Sequence, residues 1–152
     1  MSDQIFRHAH RVSYAECTLG NHVYYARYFD LLETARGEFF RAIGVPLLEL
    51  QSRDTVFPVI EVRANFKSPA RYDDLLSVEL RIQTLEKVRL TFDCRILQPD
   101  GRLVLEATTQ HVCATLAEKP KRLPEDLRAV LRPYCLASKD AGPGTPELAV
   151  AS

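Results

Sequence analysis

Apolar and polar positions alternate along most of this chain, and in one long stretch the period changes. Residues 5–16 alternate imperfectly around Phe6, Val12 and Tyr14 and predict a first strand. Leu19-Gly20-Asn21 breaks that strand in a turn. From His22 to Ile43 the apolar residues Tyr25, Phe29, Leu32, Ala35, Phe39 and Ile43 recur at three- and four-residue steps, which predicts one long helix with a buried stripe. Asn21 suits its N-cap, Gly44 the glycine just past its end, and Pro46 a firm stop. Four more strands follow, over residues 56–66, 75–85, 88–97 and 103–116. Between them lie a loop at 67–74, a hairpin at Glu86-Lys87 and a turn at Pro99-Asp100-Gly101-Arg102. Pro124 to Leu131 predicts a short helix with proline at its first position. Residues 1–136 are therefore expected to form a single domain. The Ser-, Ala-, Gly- and Pro-rich residues 137–152 are expected to be a disordered tail.

A single helix cannot cover both faces of a five-stranded sheet. The economical solution is an α+β fold in which the sheet wraps the long central helix and its free edge pairs with another copy. A homodimer or homotetramer is the expectation.

Composition narrows the function only by exclusion. The 20 basic and 20 acidic residues leave no net field to draw nucleic acid or an anionic membrane. Met1-Ser2-Asp3-Gln4 lacks the basic start and apolar run of a signal peptide, and no segment is long enough to span a bilayer. A cytoplasmic location without membrane insertion is expected. Cys17, Cys94, Cys113 and Cys135 are scattered without a CxxC pair, which argues against a zinc or redox motif and against a disulfide framework. Cys94 and Cys113 read as small buried hydrophobes. Cys17 is near His22 in sequence, but two neighbours do not make a catalytic triad, and it reads as structural.

The chemistry concentrates where the turn meets the helix. A helix start aims its free N–H groups at whatever lies beside it, an arrangement that stabilises a developing oxyanion without a metal. The stretch Arg11-Val12-Ser13-Tyr14-Ala15-Glu16-Cys17-Thr18-Leu19-Gly20-Asn21-His22-Val23-Tyr24-Tyr25, with Tyr28, Glu33 and Arg36 beyond it, resembles the N-terminal signature of the 4-hydroxybenzoyl-CoA thioesterase family of hotdog-fold enzymes. Phe66-Lys67-Ser68-Pro69-Ala70 followed by Asp73-Asp74 is similar to the family segment beside the pantetheine arm. The resemblance extends to about Ala117 and implies a hotdog fold, a five-stranded antiparallel sheet around the helix. It also implies sites shared between subunits and hydrolysis of an acyl-CoA or acyl-carrier-protein thioester without metal or cofactor.

By the same resemblance the Tyr25 amide is the oxyanion donor, and the usual catalytic Asp falls at Thr18. Thr18 is no base by itself, since nothing in the sequence supplies it with a partner. Three accounts of the missing carboxylate stay open. Glu33 matches the mid-helix acid of the phenylacetyl-CoA branch, and a helical wheel puts it on one side with His22, Ala26 and Gly37. Glu16, two residues before Thr18 on the expected strand, would lean toward the same space. The run Gly20-Asn21-His22-Val23-Tyr24-Tyr25 with Arg36 also resembles the enediyne-polyketide hotdog thioesterases, where an Arg and a positioned water replace the acid. A plain Arg36 ion pair with Glu33 or Asp30 is the bland alternative. Asn21 and His22 would position water or substrate. Tyr24, Tyr28 and Phe29 would shape the acyl pocket, and Lys67, Ser68 and Arg71 would contact the pantetheine or phosphates. Loss of the base would instead leave a non-catalytic acyl-CoA-binding or scaffolding protein.

Overall fold

The computed structural model describes residues 4–136; the expected tail at 137–152 lies outside them. Among the described residues, seven strands and three α-helices run β1(Phe6–Arg11), β2(Cys17–Thr18), β3(His22–Val23), α1(Arg27–Ala42), α2(Leu47–Ser52), β4(Val59–Phe66), β5(Leu75–Leu85), β6(Arg89–Leu97), β7(Leu103–Val112) and α3(Glu125–Leu131). Five of the strands make one antiparallel sheet in the order β1-β5-β6-β7-β4. α1 lies against one face of it. This is the expected α+β arrangement, with β1 and β4 at the edges.

Strict alternation builds the contact layer. Leu76, Val78, Leu80 and Ile82 on β5, Leu90, Phe92, Cys94 and Ile96 on β6, and Leu105 and Ala107 on β7 are all buried. α1 answers with Tyr28, Leu31, Leu32, Ala35, Phe39 and Phe40. Phe39 is the hub, with edge-on ring contacts to Phe6, Phe40, Phe92 and Tyr134 at 4.9–5.7 Å between centroids.

Several expected boundaries move, each for a local reason. The first strand stops at Arg11, not Glu16, because Val12 is clasped to the loop before β5: its N–H donates to the Asp74 carbonyl at 2.9 Å, and its own carbonyl accepts from Asp73 at 3.0 Å. Ser13-Tyr14-Ala15-Glu16 then turns into a 3₁₀ helix over Tyr14–Glu16, with the Glu16 carboxylate accepting from the Ser13 N–H at 2.8 Å. The long helix begins at Arg27 rather than His22. Residues 17–23 fold instead into a small hairpin, Thr18 opposite His22, and Asn21 in its turn is no helix cap. The buried stripe shifts accordingly, so that Tyr25 faces outward, while Phe29 and Ile43 are only half-buried. Neither His22 nor Ala26 belongs to the helix, which dissolves the wheel that grouped them with Glu33 and Gly37.

At the other end of α1 the expectation holds. Gly44 takes φ +88° and Val45 N–H reaches back to the Phe40 carbonyl at 3.0 Å, closing the helix before Pro46. The six-residue α2 after Pro46 went unpredicted, being too short to show a period. Residue 56 makes only an isolated bridge to Ala114 outside β4 and β7, so the second and last long strands are shorter than expected. Pro124 precedes α3 as its cap rather than standing inside it.

Candidate functional site

The hairpin turn is built by two left-handed residues in a row, Gly20 at φ +79° and Asn21 at φ +59°. Glycine carries this conformation at no steric cost, and asparagine tolerates it better than most side chains. Asn21 N–H closes the turn onto the Thr18 carbonyl at 3.1 Å. Its side chain does other work, accepting the Tyr72 N–H at 3.1 Å, and so ties the turn to the loop before β5. Thr18 and Asn21 line one open groove of about 690 Å³ with Cys17, Leu19, Gly20, Tyr14 and Tyr72. Tyr14 and Tyr72 are edge-on at 6.0 Å and largely exposed. The groove walls Tyr14, Leu19 and Tyr72 were not anticipated. Tyr14 and Leu19 lie close before the Gly-Asn turn in sequence, which was their available signal, whereas Tyr72 is brought in by the fold from 51 positions on and had none.

From the hairpin the chain enters α1 through tight turns. Arg27, Tyr28 and Phe29 donate to the carbonyls three residues back, at 2.8, 3.3 and 3.2 Å. Tyr24 N–H is taken by the Glu16 carbonyl at 2.9 Å. The Tyr25 N–H has no acceptor among the described residues, and it sits at the positive end of a sixteen-residue helix. Around it the rings form an open aromatic strip: Tyr24 on Tyr25 at 5.0 Å, Tyr25 on Phe66 at 6.2 Å, and Tyr28 on Phe66 at 5.8 Å. Tyr28 itself is buried, and its hydroxyl accepts the Ala70 N–H at 3.2 Å. Burial pushes that hydroxyl's pKa up, with partial relief from this hydrogen bond.

The candidate carboxylates part company. Glu16 is turned away from Thr18: it lies on a 3₁₀ helix, not a strand, and its Oε1 is engaged by Ser13 N–H and by His10 Nε2 at 2.9 Å. Glu33 is 70% exposed on α1 and pairs with Arg36 at 3.1 Å, where Arg36 is only 14% exposed. Asp30 takes Arg27 instead. Along the helix axis, six residues separate Arg27 from Glu33, a rise of roughly 9 Å. His22 is exposed, its ring 4.0 Å from where a side chain on Gly20 would begin. Phe29 is half-buried beside this helix start. Of the expected substrate contacts, Arg71 reaches the Gly20 carbonyl at 3.4 Å and borders the groove. Ser68 donates its hydroxyl to the Leu103 carbonyl at 2.8 Å, and Lys67 pairs with Glu106 at 3.5 Å.

The Cys17 thiol is pushed up, first by burial and then by the charges of Glu16 and Asp74, which is the reverse of an activated nucleophile. Cys94 is pushed up to about 12 by burial. Among the described residues no three His, Cys, Asp or Glu side chains converge to hold a metal ion. No helix there is long and apolar enough to cross a membrane.

One buried polar set was missed. His111 is fully buried on the helix-facing side of β7, with Nδ1 3.1 Å from the Phe57 carbonyl and Nε2 2.9 Å from Thr109 Oγ1. Polar residues at two inward positions of a strand were the signal. Burial, followed by the nearby Arg36 charge, lowers its pKa from 6.5 to about 4. The folded state thus refuses a proton that the unfolded chain accepts. Stability from this group is fully present above pH 6.5 and is lost as pH falls toward 4, by on the order of 3 kcal/mol. We expect Tm to fall more steeply between pH 7 and pH 4.5 in the native chain than in His111→Gln, measured by calorimetry. Parallel curves would contradict this.

The thioesterase-like superfamily model matches residues 12–131. The acyl-CoA thioester hydrolase YbgC of Escherichia coli O6:H1 is 32% identical over 130 residues, covering 85% of this chain and 97% of that protein. A probable thioesterase from Bartonella henselae aligns with TM-score 0.76 and 30% identity, covering 80% of this chain and all of its own. A hypothetical protein from Thermus thermophilus aligns with TM-score 0.79 and 31% identity over 84% and 98% of the two chains.

Proposed function

The chain belongs to the thioesterase-like superfamily, and from that premise we propose that it is an acyl-CoA thioester hydrolase, releasing the free acid and coenzyme A. The observation that carries the mechanism is the Tyr25 N–H, which has no acceptor among the described residues and stands just before α1. A substrate carbonyl placed there would gain a donor aimed at the oxygen that becomes negative in the tetrahedral intermediate, strengthened by the helix dipole. Water attacks the thioester carbon as Glu33 takes its proton, the oxyanion collapses to the acid with cleavage of the C–S bond, and the sulfur of coenzyme A leaves as the thiol, carrying that proton.

The base that activates the water is Glu33, held in place by Arg36. Tyr25 precedes α1 and Glu33 lies six positions beyond its first residue, a rise of roughly 9 Å, so in this reading the site is shared: Tyr25 from one subunit, Glu33 from another. Thr18, Asn21 and His22 line the approach and order water or substrate. Tyr24, Tyr28 and Phe29, joined by Phe66, shape the acyl side, and Lys67, Ser68 and Arg71 lie on the side given to the pantetheine arm and phosphates. Coenzyme A rather than a carrier protein is the thiol in this reading, following the name of the YbgC relative.

A shared site requires a homodimer, and β4 is the edge built for it. Val59, Ile60, Val62 and Phe66 on that strand are each about half exposed. β1, the other edge, carries Arg7 and Arg11 and is flanked near Gln4 by the Pro133 carbonyl.

Thr18 in place of an acid is the one feature favouring a non-catalytic acyl-CoA binder. A free-thiol release assay across short, long, branched and aromatic acyl-CoAs, plus an acylated carrier protein, separates the two. Binding without turnover above the uncatalysed rate would establish the binder. Thr18→Asp is expected to leave kcat unchanged or raise it, and Thr18→Val to lower it by no more than about 10-fold, since a hydroxyl without a partner base adds little. Loss of turnover in both would make the hydroxyl itself a participant.

A further inference from the structure

The loop between β4 and β5 is held at both ends and in the middle, and one carboxylate on it is claimed by neither the mechanism nor the core. At its start Lys67 and Ser68 N–H donate to the Val104 carbonyl at 2.8 and 3.3 Å. In its middle Ala70 is fully buried, accepting Val23 N–H at 2.9 Å and donating to Tyr28. Its last four residues, Arg71 to Asp74, form a turn in which Asp73 takes φ +73°; Tyr72 lines the Thr18 groove, and Arg71 reaches the carbonyl of Gly20, another lining residue. That turn is closed on the Asp74 side chain. Asp74 Oδ2 accepts the Arg71 N–H at 2.9 Å and the Gln98 side-chain amide at 2.8 Å. Gln98 is a buried polar residue just past the end of β6, and its own backbone is pinned by Arg102 and Gly101 across the tight turn to β7.

We propose that Asp74 and Gln98 form a latch that presents Arg71 and Tyr72 to the coenzyme A portion of the substrate, making both positioning residues for its binding. The proposal rests on the thioesterase reading. Asp74 acts here as a structural acceptor: one of its oxygens takes both a backbone N–H and a buried side-chain amide. When the latch opens, the turn that carries Thr18 keeps its own closure, Asn21 N–H on the Thr18 carbonyl, and loses only its ties to Arg71 and Tyr72, so the helix start is not unmade. A binding defect limited to the coenzyme portion follows.

The test uses Asp74→Ala, Gln98→Ala, Gln98→Glu and the swap that combines Asp74→Asn with Gln98→Glu, each checked for native Tm and assembly. Titration with free coenzyme A reads the latch independently of turnover. Steady-state rates compare an acyl-CoA with the matching acyl-N-acetylcysteamine thioester, which lacks the nucleotide. The three single variants are expected to weaken coenzyme A binding and raise KM for acyl-CoA by about 10-fold, with kcat and the truncated substrate within about twofold. The swap restores an amide donor facing a carboxylate, and the amide oxygen it places at position 74 can still accept from Arg71, so it should recover most of the affinity. Equal losses on both substrates, or native affinity in folded single variants, would overturn the latch. Failure of the native protein to hydrolyse any thioester would overturn the thioesterase reading while the titration decides the latch, and hydrolysis by a native protein that does not bind coenzyme A would overturn the latch alone.

Discussion

Glu33→Gln is expected to lower kcat by about 10²–10⁴-fold while KM changes little, the range that removal of a general base produces. The amide keeps the size and one hydrogen-bond acceptor of the carboxylate, and it loses a surface ion pair worth less than about 1 kcal/mol, so the fold should tolerate it. What it cannot do is take a proton from water. Glu16→Gln should matter least for catalysis, because that side chain is spent on His10 and the Ser13 N–H. Arg36→Ala should fall between them if Arg36 only holds Glu33. Free-thiol release under saturating acyl-CoA measures all three. A Glu33→Gln protein that is fully active as an intact oligomer would sink this mechanism. Near-native rates in both Gln variants, with activity lost in Arg36→Ala, would favour a carboxylate-free reaction.

Val62→Asp should break the assembly. Val62 sits midway along β4 on the helix-facing side, opposite Thr109, and is 44% exposed in the single chain. If β4 pairs antiparallel with its own copy about Val62, each copy places Glu61 opposite the partner's Arg63, and the two Val62 side chains meet at the axis. One substitution then buries two carboxylates against each other. Even partly solvated, that costs on the order of 3 kcal/mol or more, a rise of at least about 100-fold in the dimer dissociation constant. Sedimentation velocity at micromolar concentration should show a dimer or larger species for the native chain and a monomer for the variant. Because the site joins Tyr25 of one subunit to Glu33 of another, thioester hydrolysis should fall with the dimer fraction and recover at high protein concentration. A native monomer, or a monomeric variant with full activity, would refute the shared site.

The sequence carried the architecture because burial on a sheet obeys a period of two and burial on a helix a period near 3.6. Those rules located β5 at Leu75–Leu85 to the residue and the end of α1 at Gly44. It also carried the acyl-thioesterase reading, through the Arg11-to-Arg36 stretch and the Phe66-to-Asp74 segment. It misplaced the helix start, because the 3.6 period cannot distinguish a helix from apolar residues in a hairpin that happens to precede one. Ser13 and Glu16 held a legible capping signal that the apparent strand alternation masked.

What the tertiary structure decided were relations between residues far apart in the chain. Asn21 serves Tyr72, 51 positions on, rather than the helix beside it. Asp74 is fixed by Gln98, and His111, bonded to Phe57 and Thr109, is held neutral by burial and the nearby Arg36 charge. Among the described residues the Tyr25 N–H meets no acceptor, because the turns before α1 bring it no carbonyl. Local sequence sets backbone propensity and which face is apolar. Which hydrogen-bonding groups are satisfied, and which are left for a substrate, depends on the partners that packing brings within about 3 Å.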